Sequence, residues 1–238
     1  MKLPKIEVPV YKTKLILENK EIVYRPFLVK EEKILLTSMQ TENIDDIIEN
    51  LIIVVQNCIL TDIDVSEIPY FEFVNLFIKI RSKSLGEIID ISVVDPENKK
   101  SFDSEINLEE IEIIKNKKIN HKIKITDNVG LILKFPNIKT HLSFYLKNKK
   151  INLTGDNLIK LIVCCVDQIF DQENVYNGKD YTEEEMVEFI ENIPASDIKN
   201  ISQFFQNMPK IIYQKEHMSP YSKKNVKVTV ENIIDFLI

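Results

Sequence analysis

Residues 70–94 read YFEFVNLFIKIRSKSLGEIIDISVV, and the spacing of their apolar side chains changes partway along. Over 70–82, Phe73, Leu76, Phe77 and Ile80 recur at helical intervals, which predicts a helix with that face inward. Strand signals take over at Glu87–Val94 and again at Lys100–Ile106. Between them, Asp95-Pro96-Glu97-Asn98 is a strong turn string. One stretch therefore commits the chain to both helices and antiparallel strands.

Working toward the N-terminus, Asn43 can cap a helix across 44–58. Asp45, Asp46 and Glu49 fall in its first turns, where they favour the helix dipole. Ile47, Leu51, Val54 and Cys58 form the expected inward stripe. Residues 30–40 also have helical spacing, with Ile34, Leu35 and Met39. Residues 6–29 alternate through Ile6, Val8, Val10, Leu15, Leu17, Ile22 and Tyr24, which predicts a hairpin turning at Glu18-Asn19-Lys20. Pro26 ends or edges its second strand.

Toward the C-terminus, Ile111, Ile113, Ile123 and Ile125 alternate with charges, predicting a strand pair within 110–135 that turns at Asn116-Lys117-Lys118. Helices are expected across 137–147 and, capped by Thr154, across 155–170 with Leu158, Leu161, Ile162, Cys165 and Ile169 inward. Thr182 and Glu185 form a capping box for a helix near 183–191. Pro194 opens another across 195–207, with Ile198, Ile201, Phe204 and Phe205 inward. Strands at 210–217 and 224–230 and a short helix at 231–237 close the chain. The layout predicts an α+β fold. Its expected parts are an N-terminal region of strands and helices over 1–135, a helical region over 136–209, and a β unit over 210–238.

Composition bounds the function. The 238 residues carry a net charge of −6 and are 44% hydrophobic, which excludes a disordered chain and permits a real core. Four glycines and no phosphate-loop or dinucleotide fingerprint argue against the usual nucleotide enzymes. Cys58, Cys164 and Cys165 are too few for a disulfide framework and fit a reducing compartment. The N-terminal residues predict no signal peptide, and no apolar run is long enough to cross a bilayer.

Candidate chemistry is sparse. His121, His141 and His217 lack a second ligand at metal spacing. Asp62-Ile63-Asp64 reads as a loop, Glu183-Glu184-Glu185 as capping, and Cys58 as part of a buried stripe. The arginines say more. Isoleucine (39) and lysine (29) are in excess, as codon bias in an AT-rich genome produces, yet two arginines remain. Arg25 and Arg81 are therefore candidates for planar, bidentate contacts that lysine cannot make. The contact is either internal, to Glu31, Glu32 or Glu87, or to a partner; the internal one is the preferred reading. Ser219-Pro220-Tyr221-Ser222 has the spacing of a zinc knuckle with both thiols replaced by hydroxyls.

Seven colinear segments carry a resemblance. They are RPFLVKEEKILL at 25–36, QNCI at 56–59, DVSEIP at 64–69, LFIKIRSKSLGE at 76–87, KITDNVG at 124–130, CVDQIFD at 165–171 and FFQNMPK at 204–210. With them the chain resembles the baseplate hub assembly family of T4-type contractile-tailed phages.

The resemblance implies a non-enzymatic assembly factor that binds hub or tape-measure proteins in the host cell cytoplasm. The alternative is a structural subunit retained in the virion tail baseplate. It also implies that 210–238 is a degenerate zinc-ribbon-like unit, since Ser219 and Ser222 stand where many relatives carry Cys-Pro-x-Cys. A further pair seen in some relatives is missing around Asp95-Pro96. No cofactor, metal, small-molecule substrate or membrane is implied. Arg25, Phe27, Lys30, Glu31, Arg81, Ser84, Gly86, Phe205 and Pro209 are the candidate partner-binding or fold-defining residues. A hydrolase or nuclease would instead need a polar cleft with clustered carboxylates or a metal. A nucleic-acid module would need a basic face built from Lys210, Lys215, Lys223, Lys224 and Lys227.

Overall fold

The computed structural model describes residues 4, 6–38, 40, 43–115, 119–148, 155–231 and 233–236. Met39, the Asn116-Lys117-Lys118 turn and the Thr154 cap lie outside the described residues. The fold is α+β, with seven α-helices and four small antiparallel sheets among the described residues. The chain divides into two compact units, residues 1–114 with 210–238, and residues 115–209.

The first unit starts with strands β1 (Tyr11–Lys14) and β2 (Glu21–Tyr24), paired antiparallel with Tyr11 opposite Tyr24. This hairpin is shorter than the alternation from Ile6 predicts. Pro4 and Pro9 interrupt the run, and proline removes a ladder donor. Helix α1 (Val29–Ser38) follows, then α2 (Ile44–Cys58), where the Asn43 side chain accepts from the Asp45 N–H as expected. The buried stripe of α2 runs through Ile48, Leu51, Val54, Val55 and Cys58, so Ile48 takes the inward place expected of Ile47.

Helix α3 (Tyr70–Leu85) is buried almost all round over its first nine residues. Phe73, Leu76, Phe77 and Ile80 are 0–1% exposed. Fully burying each such side chain is worth about 1.5–3 kcal/mol. An all-round apolar helix is central rather than surface-lying. Its one early acidic residue, Glu72, is buried, and its carboxylate accepts from the Ile16 and Leu17 N–H groups at 2.7 and 2.8 Å.

Strands β3 (Ile88–Val94) and β4 (Ser101–Asn107) form the hairpin expected around Asp95-Pro96-Glu97-Asn98. Strand β5 (Glu112–Ile114) departs from expectation. It pairs with β10 (Lys210–Met218), not with the residues that follow it, giving the sheet order β11 (Asn225–Val230), β10, β5. Ile113 and Ile114 look like half of a local hairpin, but their partner lies almost a hundred residues away. Residues 210–238 therefore belong to the first unit instead of standing apart. Tyr213 is buried in that sheet, and the Ile233 N–H of the closing 3-10 turn (Ile233–Phe236) donates to the Tyr70 hydroxyl at 3.1 Å.

The second unit holds the sheet β6 (Lys122–Lys124), β7 (Gly130–Leu133), β8 (Val166–Phe170) and β9 (Val175–Asn177), in that order. Helices α4 (Ile138–Asn148), α5 (Gly155–Cys165), α6 (Glu183–Glu191) and α7 (Ala195–Gln206) complete it. The Thr182–Glu185 capping box forms at α6. The helix expected across 155–170 stops at Cys165. Val166 and Ile169, both buried and three residues apart, continue the helical spacing and break strict strand alternation. A register shift opposite Ile132 and Leu133 accommodates them, and pairing of β8 with both β7 and β9 makes the segment a strand.

Gly130 allows the β7 approach. A Cβ there would strike the Phe170 ring and lie 2.7 Å from the Ile123 carbonyl oxygen. Gly130→Ala is expected to cost about 1–3 kcal/mol by overpacking, read as a lower urea midpoint at unchanged slope. An unchanged midpoint would show that the sheet spreads freely at this point.

Candidate functional site

The segments 25–31, 58 and 84 meet in the first unit. The Arg25 N–H donates to the Cys58 carbonyl at 2.9 Å, tying the end of β2 to the end of α2. The guanidinium then turns inward. Its two terminal nitrogens reach the two Glu31 carboxylate oxygens at 3.2 and 3.0 Å, and Nη1 also donates to the Pro26 carbonyl at 2.9 Å. Glu31 is fully buried and also accepts from the Leu28 N–H at 2.9 Å. The Lys30 ammonium, two-thirds exposed, lies 3.5 Å from the same carboxylate.

Phe27 is held from the other side. Its N–H donates to the Ser84 hydroxyl at 2.7 Å, and that hydroxyl donates to the Ile80 carbonyl at 2.6 Å. The Phe27 and Phe77 rings lie 6.0 Å apart. Gly86 follows α3 with φ +95°, a conformation other residues adopt only under strain. Arg81 is 7% exposed, and burial lowers its pKa. Glu87, one carboxylate considered for Arg81, pairs with Lys83 at 3.0 Å. Burial pushes the Cys58 thiol up to about 12, which keeps it protonated near neutrality.

Phe205 and Pro209 lie in the second unit and are buried. Phe204, next to Phe205, stacks on Phe135 with ring centroids 5.2 Å apart, and the His121 edge meets both rings. The three histidines are placed separately. His121 Nδ1 donates to the Leu133 carbonyl, burial pushes His141 down to about 3, and His217 lies between the Ser104 and Tyr213 hydroxyls. Asp64 caps its own loop by accepting from the Ser66 N–H and hydroxyl.

The two turns at 95–100 and 219–224 show what sequence reasoning missed. Each has the same backbone pattern. The Asp95 N–H donates to the Lys100 carbonyl and Lys99 N–H returns to Asp95; Ser219 N–H donates to Lys224 and Lys223 N–H returns to Ser219. Lys99 and Lys223, at matching places, have φ of 61° and 58°. The turns face each other. The buried Ser219 hydroxyl donates to Asp95 Oδ2 at 2.5 Å, and the Ser222 N–H reaches the same oxygen at 3.3 Å. Glu97 N–H and Asn98 Nδ2 also donate to this carboxylate. The equal i, i+3 spacing of Asp95/Asn98 and Ser219/Ser222 was the available signal.

These residues do not fit a thiolate zinc site: two hydroxyls, an amide and one carboxylate already satisfy one another. Among the described residues no group of three or more His, Cys, Asp or Glu could hold a metal ion. Nor are all the lysines near the second turn free for an anion, since Lys215 pairs with Glu110 and Lys224 with Glu97. Among the described residues no helix is long and apolar enough to cross a membrane.

The family model described as T4 bacteriophage base plate protein matches residues 8–238. No curated protein and no solved structure matches the chain.

Proposed function

The chain belongs to the T4 bacteriophage base plate protein family, and from that premise we propose that it is a hub assembly factor acting by binding alone. It engages hub or tape-measure proteins in the host cell cytoplasm and orders their association. The observation that carries this reading is the extent of the family match, which runs through both units almost from end to end.

The cluster around Arg25 supports a division of labour along one segment. Arg25, Glu31 and Ser84 are spent on internal contacts, while Val29 and Leu36, on α1 with Glu31, are 81% and 56% exposed. Exposed apolar side chains beside a rigid, ion-paired helix start suit partner contact. We read the two like turns at 95–100 and 219–224 as the remnant of the zinc-ribbon-like unit that the resemblance implied, with hydrogen bonds in place of ligands.

Affinity capture from infected cells tests the reading. Hub or tape-measure proteins are expected with the bait, and the bait recovered alone would count against it. Blotting purified virions separates the two baseplate roles. Absence from finished particles fits a transient factor, whereas stoichiometric presence would replace that role with a retained subunit.

A further inference from the structure

In the second unit a groove of about 660 Å³ runs beside β6 and α7. Its floor is apolar, from Ile119, Ile123 and Phe204. Along one side α7 presents Asn200 and Gln203, and its C-cap Asn207 follows at the same spacing. Along the other lie Lys122 and Lys124. The lining contains two lysines and no carboxylate, although the whole chain is acidic.

The backbone of β6 adds a second feature. His121 C=O accepts from Leu133 N–H and Ile125 N–H donates to Val129 C=O, so each of these residues turns a backbone group toward β7 and the residue that precedes it. An antiparallel ladder alternates, so Lys122 and Lys124 direct theirs to the outer edge. The Asn120 side chain accepts from Lys122 N–H, which leaves the Lys122 carbonyl and both Lys124 groups along that edge. Among the described residues β6 has no further strand beyond it. A free edge beside a groove is the geometry of strand addition, in which main-chain bonds hold a peptide and alternate side chains select it.

We propose that this groove docks an extended acidic segment of another baseplate protein, added as a strand to the outer edge of β6. Its backbone bonds to Lys122 and Lys124, its Asp or Glu side chains meet the two ammonium groups, and its peptide groups meet the amide row of α7. The edge offers carbonyl and N–H groups at strand spacing, which matches a peptide and not a phosphate backbone. The Lys122 ammonium lies 4.3 Å from the centre of the Phe170 ring of β8, inward of β6, so it turns from that ring toward the edge when the acidic segment docks, while the exposed Lys124 needs no release from a ring. The partner's being a baseplate protein rests on the proposed function; its acidic, extended chemistry rests on the groove.

The test is an array of overlapping peptides tiled across the other baseplate proteins of the same phage, probed with the full chain and with K122E/K124E. Both lysines are exposed, so the variant is expected to keep the wild-type circular dichroism spectrum, with a melting temperature lowered by at most about 4 °C through loss of the Lys122–Phe170 contact. Wild type should be retained on acidic peptides. Charge reversal should weaken that retention about tenfold or more. Methylating backbone nitrogens of a bound peptide should abolish binding at alternate positions only.

Retention on basic or apolar peptides, retention indifferent to charge reversal, or no retention would each overturn the proposal. So would displacement of a bound acidic peptide by single-stranded DNA with loss of the methylation pattern. If the full chain captures hub proteins from infected cells while K122E/K124E captures them equally, the groove proposal fails and the assembly role stands.

Discussion

Replacing Arg25 with alanine is expected to destabilise the protein by about 3–5 kcal/mol, because it leaves the fully buried Glu31 carboxylate without its cation. For a chain of this size that corresponds to a fall in melting temperature of roughly 10 °C. Arg25→Lys keeps the charge but not the two-pronged contact or the bond to the Pro26 carbonyl, so about 1.5–3 kcal/mol should still be lost. Removing both partners, as in R25M/E31L, should recover much of the alanine loss. Recovery stays incomplete because the Leu28 N–H then loses its acceptor. Chemical denaturation of the four proteins checks the order. Unchanged stability in Arg25→Ala together with lost capture of partners would move Arg25 from the fold to an interface.

The same pair sets an acid limit. Burial alone would raise the Glu31 carboxyl, but the Arg25 hydrogen bond, the Leu28 amide and the charges of Arg25 and Lys30 outweigh it and hold the carboxyl below its ordinary value. A carboxylate held low in the folded state contributes stability that is present above its unfolded pKa, about 4.3 for Glu, and is lost as pH falls through the folded value. The wild-type urea midpoint should therefore drop on acidification below that point. In Arg25→Ala the drop should be shallower, since the interaction that lowered the carboxyl is gone.

Local chemistry made most elements legible, and long-range pairing hid the rest. Asn43 and the Thr182–Glu185 box mark helix starts because a cap needs only nearby backbone N–H groups. Phe73, Leu76, Phe77 and Ile80 were readable as an inward face because burial follows helical period. By contrast, β5 pairs with β10 across residues 115–209, and nothing in Glu112–Ile114 encodes so distant a partner. The end of α5 was hidden because Val166 and Ile169 continue the helical spacing of Ile162 and Cys165, and only the irregular pairing with β7 turns them into a strand. At the candidate site, Glu31 was one of three carboxylates near Arg25, and only the folded turn at Leu28 selects it. Ser219 and Ser222 were read as lost ligands. Their present acceptor, Asp95, was visible only as a turn former, because the two turns meet through the fold.

Asp95→Ala is expected to separate those two turns. The carboxylate gathers the Ser219 hydroxyl, the Ser222 and Glu97 N–H groups and the Asn98 amide, and no other side chain among these contacts joins both hairpins so deeply. The Ser219 hydrogen bond holds the Asp95 carboxyl well below the usual carboxylate range, burial opposes it, and the Ser222 and Glu97 contacts add to the lowering. Alanine removes the shared acceptor and leaves the buried Ser219 hydroxyl to find another. The outer contacts, Lys224 to Glu97 and the Tyr221 hydroxyl to the Ser101 carbonyl, are exposed and hold less. Amide hydrogen exchange at Glu97 and Ser222 should therefore quicken about tenfold or more, while the buried amides of α2 keep their protection. Asp95→Asn should fall between, since it keeps the shape and one acceptor oxygen but loses the charge. Unchanged protection at Ser222 in Asp95→Ala would mean that the β10–β11 hairpin is held in place by β5 and the core beneath it, with the paired turns only resting on each other.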